Sequence, residues 1–121
     1  MACQKEDVCL QSTQERTAKI ARLNDQLRRG QTPGHAFVTE GILSLGEGAA
    51  VNILAEVRDY DCFSQANDPH GERDFGAFRY RGEKVYWKID YYDPSLKYGS
   101  EDPADPAQTC RVLTVMLARE Y

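Results

Sequence analysis

The stretch that decides the fold is Phe75-Gly-Ala-Phe-Arg-Tyr-Arg-Gly-Glu-Lys-Val-Tyr-Trp-Lys-Ile-Asp-Tyr-Tyr92. Apolar and polar residues alternate through its second half, which is typical of a strand with one buried face. Arg81-Gly-Glu-Lys84 is predicted to be the loop of a β-hairpin. Pairing across that loop would place Tyr80 opposite Val85 and would turn Trp87 towards the core. A slip of one residue would bury charged side chains, so the pattern determines the faces of this hairpin strongly.

Helical signals flank the hairpin on both sides. The predicted elements are a helix over residues 12–29 that begins at the capping box Ser12-Thr-Gln-Glu15, an extended segment over residues 35–45, a helix over residues 49–59, the two hairpin strands, and a last helix over residues 105–121. The order α-β-α-β-β-α predicts an α+β fold with a small, mainly antiparallel sheet and packed helices. We expect a single domain over residues 12–121 and a flexible tail over residues 1–11.

The prediction of the last helix rests on two observations. Asp105-Pro106 has the residue types of an N-cap followed by the first helical position. An apolar stripe follows it at helical spacing: Val112, Leu113, Met116 and Leu117.

The net charge of −4 is distributed unevenly. Residues 1–30 carry six bases and four acids, whereas residues 56–105 carry twelve acids and seven bases. Direct nucleic-acid binding is therefore not expected, because nucleic-acid-binding proteins present clustered basic residues. The N-terminus has no signal-peptide pattern, no apolar run spans a bilayer, and the four cysteines form no Cys-x-x-Cys pair. These features predict a cytoplasmic protein with free thiols and no membrane contact.

Four potential metal ligands alternate along a short segment: Asp68, His70, Glu72 and Asp74. In an extended chain alternate side chains share one side, so these groups could converge on a divalent ion. Pro69 and Gly71 interrupt the extended geometry, which favours a simple loop. No second histidine lies nearby, and no signature of a catalytic nucleophile or a nucleotide-binding loop accompanies the segment.

A second group of candidate residues combines acids with tyrosines. Tyrosine offers rigid contact area with a polar tip, which suits a protein-binding surface. The candidate binding residues are Asp68, His70, Glu72, Asp74, Tyr86, Asp90, Tyr92, Asp93, Tyr98, Glu101 and Asp102.

Three long strings carry a resemblance to a known family. They are Asn67-Asp-Pro-His-Gly-Glu-Arg-Asp-Phe-Gly76, Trp87-Lys-Ile-Asp-Tyr-Tyr-Asp93 and Tyr98-Gly-Ser-Glu-Asp-Pro-Ala-Asp-Pro106. Over residues 15–121 the chain resembles a family of small, mainly alphaproteobacterial proteins of unknown function that are often carried on plasmids and integrative elements. The resemblance implies an accessory or anti-defence role, such as inhibiting a nuclease or a CRISPR system. Relatives often have a histidine where this chain has Arg73.

The sequence thus favours a small, acidic, non-enzymatic interaction module without a cofactor. Its expected partner is a protein with a basic surface, such as a host nuclease or a DNA-binding complex. The alternative is a metal-dependent hydrolase in which Asp68, His70, Glu72 and Asp74 hold a divalent ion.

Overall fold

The computed structural model describes the backbone of residues 2–121 and the side chains of residues 12–121. Its helices are α1 (Ala2–Arg28), α2 (Glu40–Leu43) and α3 (Ala49–Asp59), and its strands are β1 (His35–Val38), β2 (Phe75–Tyr80), β3 (Glu83–Tyr92) and β4 (Cys110–Leu117). A 3₁₀ turn over Ala118–Glu120 follows β4. The fold is α+β, as predicted. Among the described residues, no helix is long and apolar enough to cross a membrane.

The four strands form one mixed sheet in the order β1-β4-β3-β2. β4 pairs antiparallel with β3 and parallel with β1, and β2 pairs antiparallel with β3. The prediction of a mainly antiparallel sheet is therefore met only in part, because β1 joins the edge in parallel.

The hairpin forms where it was predicted, with a different register. Tyr80 pairs with Glu83 rather than Val85, and the loop shortens to Arg81 and Gly82. Both loop residues have positive φ, at 50° and 84°, as a two-residue type I′ turn requires. The register differs by two residues, so every side chain stays on its predicted face. Trp87 is accordingly buried in the core.

The predicted last helix is wrong. Residues 110–117 form β4, which lies between β3 and β1 inside the sheet. The apolar residues 112, 113, 116 and 117 fit helical spacing, but Leu113, Val115 and Leu117 also alternate, and these three are almost fully buried. Asp105-Pro106 belongs to the turn before the strand, where Asp105 accepts a hydrogen bond from the backbone of Ala107.

Two other element boundaries differ from expectation. The predicted extended segment over residues 35–45 divides into β1 and the short helix α2. The carboxylate of Glu120 accepts the N–H of Gly41 there, a tertiary cap that local sequence does not reveal. α1 also runs through the predicted N-cap at Ser12. The side chains of residues 1–11 lie outside the described residues, so the flexible tail stays a prediction.

α1, α2 and α3 pack on one face of the sheet. The prediction of α3 over residues 49–59 is confirmed. The core consists of side chains from these helices and from the facing sides of β3 and β4: Leu27, Ile42, Ile53, Val57, Val85, Trp87, Ile89, Leu113, Val115 and Leu117. We call this side the covered face and the opposite side the open face.

Candidate functional site

The segment over residues 68–74 folds into a loop that contacts of Asp68 and Arg73 hold in place. Both carboxylate oxygens of Asp68 accept the backbone N–H of Arg73 at 3.2 Å. Arg73 has a positive φ of 55° and donates to Asp25 of α1 at 3.0 Å. The loop is therefore attached to α1 by an arginine side chain.

Glu72 points in a different direction, into a polar network beneath the loop. The hydroxyl of Tyr91 donates to Glu72 at 2.8 Å and accepts from Asn24 at 2.8 Å. Asn24 is fully buried and also donates to the backbone carbonyl of Glu72 at 2.9 Å. Burial is the main cause of the raised pKa of Tyr91, so the phenol stays protonated and keeps donating.

The remaining two candidates, His70 and Asp74, do not complete a metal site. His70 is exposed, and Asp74 is half-buried beside the start of β2. Desolvation, followed by the negative charge of Glu72, raises the pKa of Asp74. Within residues 12–121, no three His, Cys, Asp or Glu side chains come together as metal ligands. The geometry therefore gives no support to the hydrolase alternative.

The open face carries Tyr86 and Asp90 among half-exposed neighbours. The rings of Phe75, Tyr86 and Tyr121 form a cluster with centroids 5.2 to 6.3 Å apart. Asp90 accepts a hydrogen bond from Lys88 at 2.5 Å, which is the main cause of the raised pKa of Lys88.

The open face is not itself acidic. The pairing of β2 with β3 places Arg79 and Lys84 on the same side as Lys88, and Asp90 is the acid among them. The predicted binding residues therefore separate: Tyr86 and Asp90 lie on the open face, three of the acids lie in the loop over residues 68–74, and three more lie in the segment that follows β3.

That segment, residues 93–109, is here called the acidic loop, since it contains four acids and one base. Asp93 begins it and accepts hydrogen bonds from the Ser95 hydroxyl at 2.9 Å and from the backbone of Lys97 at 3.0 Å. Desolvation opposes ionisation of Asp93, but these bonds outweigh it and lower its pKa. The carboxylate of Asp93 thus orders the loop.

Further contacts hold the second half of the acidic loop. Asp102 binds Arg16 of α1 at 3.1 Å and accepts the N–H of Ala104 at 3.2 Å. Ser100 bonds to Thr109 at 2.7 Å across the base of the loop, and its N–H donates to the carbonyl of Tyr91 at 3.0 Å. The loop is consequently joined to both α1 and β3.

Three candidate residues remain beside these contacts. Tyr98 is 73% exposed, and Glu101 is exposed without a hydrogen-bond partner among the described residues. Tyr92 lies at the end of β3, half-buried and bridged to Gly99. Tyr92, Tyr98 and Glu101 therefore belong to one end of the molecule, while Asp68 and His70 belong to a separate loop.

The predicted site omitted the buried polar residues Asn24, Arg28 and Arg111. Arg28 donates to the carbonyls of Val57 and Tyr60, both at 2.7 Å, and so closes the C-terminus of α3. One signal could have found the first two: Asn24 and Arg28 follow Ile20 at intervals of four, on the buried stripe of α1. Arg111 becomes visible only when residues 110–117 are interpreted as a strand.

The comparison with protein families bears on the region from the last residue of β1 to the 3₁₀ turn. A family model described as a protein of unknown function, DUF3768, matches residues 38–120, which is more than half of the chain. The chain belongs to this family. No curated protein and no solved structure matches it. The acidic loop, the loop over residues 68–74 and Arg111 all lie within the DUF3768 segment, whereas α1 lies outside it.

Proposed function

We propose that this DUF3768 protein is a non-enzymatic interaction module whose acidic loop binds a basic surface of a protein partner. The observation that carries the proposal is the exposure of Tyr98, which is 73% accessible on a loop that hydrogen bonds hold in place. Exposed tyrosines on ordered loops are typical of binding surfaces.

The order of the loop supports binding because little conformational freedom remains to be lost. The N–H of Asp93 donates to the carbonyl of Tyr98 at 2.7 Å, and the N–H of Leu96 donates to Asp93 at 2.9 Å. These bonds close a tight turn that presents Leu96, 47% exposed, beside Tyr98. A preformed binding loop lowers the entropic cost of association.

Charge supports a basic partner. Hydrogen bonds within the loop lower the pKa of Asp93 and of Asp105, which favours their charged forms. Asp102 is paired with Arg16, and Glu101 forms no ion pair with any described residue. A concentrated charge of one sign accelerates association with a partner of opposite sign. The resemblance to plasmid-borne proteins suggests a host nuclease or a DNA-binding complex in the cytoplasm as the partner.

Affinity capture from a bacterial lysate tests the proposal at two salt concentrations. The wild type should retain basic proteins at low salt, and retention should fall as salt rises, because screening weakens exposed charge pairs. Tyr98→Ala and Glu101→Lys should each lose this retention. Glu47→Lys is the matched control, since Glu47 is an exposed acid in the turn between α2 and α3, outside the acidic loop.

Two results would contradict the proposal. One is the absence of any basic protein among those retained at low salt. The other is equal loss of retention in Glu47→Lys and Glu101→Lys, which would show a response to net charge alone.

A further inference from the structure

A cleft of about 470 Å³ opens beside the acidic loop, on the side of α1. Its walls come from the end of α1, from the turn before β1, from both ends of the acidic loop and from the start of β4, and include Leu23, Leu27, Pro33, Pro94, Pro106 and Ala107. The volume is that of a small-molecule site, and the walls combine these apolar side chains with the polar side chains of Thr32, His35 and Thr109.

Arg111 is the cation that lines this cleft, and it is only 8% exposed. Its Nε donates to Asn24 at 2.9 Å, its Nη2 donates to the carbonyl of Pro103, and its guanidinium lies 5.3 Å from the ring centroid of Tyr91. All three partners are uncharged. Nη1 has no hydrogen-bond partner within residues 12–121.

No carboxylate among the described residues lies within ion-pair distance of Arg111. Glu72 acts on it only through space, and desolvation, the largest effect, lowers the pKa of Arg111. A buried guanidinium without a paired anion is costly, since buried charges in proteins are normally paired. An anion bound against Arg111 would therefore offset the cost of burying its charge.

The rest of the lining limits what that anion can be. None of the described side chains that line the cleft is acidic, and the carboxylates of Asp93 and Asp105 are held by bonds within their own loop. A guanidinium fork matches one carboxylate. The leucine, proline and alanine side chains of the walls favour a ligand with a hydrocarbon body over a strongly hydrated dianion.

We propose that the cleft binds a small monocarboxylate with an apolar body, with its carboxylate against Arg111. This site is separate from the protein-binding tip of the acidic loop, since Tyr98 and Glu101 do not line the cleft.

Titration with hexanoate, followed by amide NMR shifts, tests the proposal. Hexanoate should cause saturable shifts at Gly34, His35, Ala107 and Thr109, in the millimolar range expected for so small a ligand. Hexanamide has the same length without the charge, and it should bind at least about tenfold more weakly, because its neutral carbonyl cannot neutralise the buried cation.

Three variants locate the binding site. Ala107→Trp should fill the cleft and abolish the shifts, whereas Ala66→Trp, at an exposed position outside the cleft, should leave them unchanged. Arg111→Met should weaken hexanoate at least about tenfold and should weaken hexanamide by a much smaller factor. If Arg111→Met does not fold, two comparisons still test the proposal. One compares Ala107→Trp with Ala66→Trp, and the other compares hexanoate with hexanamide.

Several outcomes would overturn the proposal. They are the absence of saturable hexanoate shifts, equal affinity for hexanamide, or undiminished binding in Ala107→Trp. Inorganic phosphate is the competing anion, and saturation of the same amides by phosphate but not by hexanoate would also reject a monocarboxylate.

Discussion

The covered and open faces consist of alternate residues of the same strands, but they differ in how deeply those residues are buried. On β3, Val85, Trp87 and Ile89 are at most 3% exposed, whereas the intervening Tyr86 and Lys88 are half-exposed. The three helices cover Val85, Trp87 and Ile89. On the other face, Tyr86 belongs to a cluster of aromatic rings, and Lys88 forms an ion pair with Asp90. Adjacent residues of one strand therefore contribute to stability on one side and remain available for contacts on the other.

The difference is clearest at the aromatic residues. Trp87 lies in contact with Tyr60 and Phe63, at centroid distances of 5.5 and 6.0 Å, and with the guanidinium of Arg28 at 5.1 Å. Tyr86 contacts Tyr121, a residue that is itself 75% exposed. The first ring is fully buried, whereas the second remains half-exposed.

Trp87→Ala should have the largest effect on stability. It would leave a cavity between the sheet and α3, and we expect a loss of about 3–5 kcal/mol in the free energy of unfolding. Denaturant unfolding measures it, with Tyr86→Ala as the matched substitution on the open face. A smaller loss for Trp87→Ala than for Tyr86→Ala would reverse the assignment of the two faces.

Gly76→Ala should have the next largest effect. Gly76 lies opposite Trp87, and a Cβ there would overlap the indole ring, which cannot move because it is fully buried. Overpacking of this kind costs about 1–3 kcal/mol. Gly99→Ala is the control, since its Cβ would meet only Tyr91 O at an ordinary 3.9 Å.

The two glycine variants should therefore separate in thermal unfolding. A stable Gly76→Ala protein would mean that the ring of Trp87 has room to shift, and the covered face would be less tightly packed than its burial indicates.

The two faces were predictable from sequence because alternation has a period of two. The hairpin register was predicted wrongly by two residues, yet Trp87 and Tyr86 remained on the right sides. A period of two is insensitive to an even shift. What the alternation could not supply was the turn type, since it depends on the positive φ of Arg81.

β4 shows why the rest was not predictable. Its apolar residues satisfy both helical and strand spacing, and only its place between β1 and β3 selects the strand. Mistaking β4 for a helix concealed Arg111, whose partners Asn24 and Pro103 lie on other elements. The predicted last helix also covered residues 105–109 of the acidic loop, and the contact of Asp102 with Arg16 of α1 depends on tertiary geometry.

Glu120→Gln tests the contacts that fix the C-terminal residues. These contacts place Tyr121 against Tyr86. The carboxylate accepts the Thr39 hydroxyl at 2.7 Å and the N–H of Leu117 at 2.9 Å, and these bonds lower the pKa of Glu120 below its ordinary value of 4.5. Because the group is exposed, we expect a loss of only about 0.5–1 kcal/mol at neutral pH.

The pH dependence of that loss has a definite sign. A carboxyl with a lowered pKa in the folded state stabilises the protein above its unfolded pKa, and this contribution disappears as pH falls through the folded value. The difference in melting temperature between wild type and Glu120→Gln should be constant above about pH 5.5, should shrink as pH falls below 4.5, and should disappear only below the lowered pKa of the folded state. A difference that persists unchanged into acid would show that the carboxylate charge plays no part.

Asp90→Asn should have the smallest effect, and it bears most directly on the open face. Asp90 pairs with Lys88 at 2.5 Å, but the two side chains are 36% and 33% exposed, so the pair should contribute about 0.5 kcal/mol or less. Thermal unfolding of Asp90→Asn beside Glu47→Gln, at an exposed acid outside the sheet, measures this directly. Near-equal melting temperatures would mean that the open face accepts changes in charge without loss of the fold, as a surface available for contacts must. If Asp90→Asn instead unfolds the protein, the Lys88–Asp90 pair is a structural element of β3, and the open face contributes to stability as the covered face does.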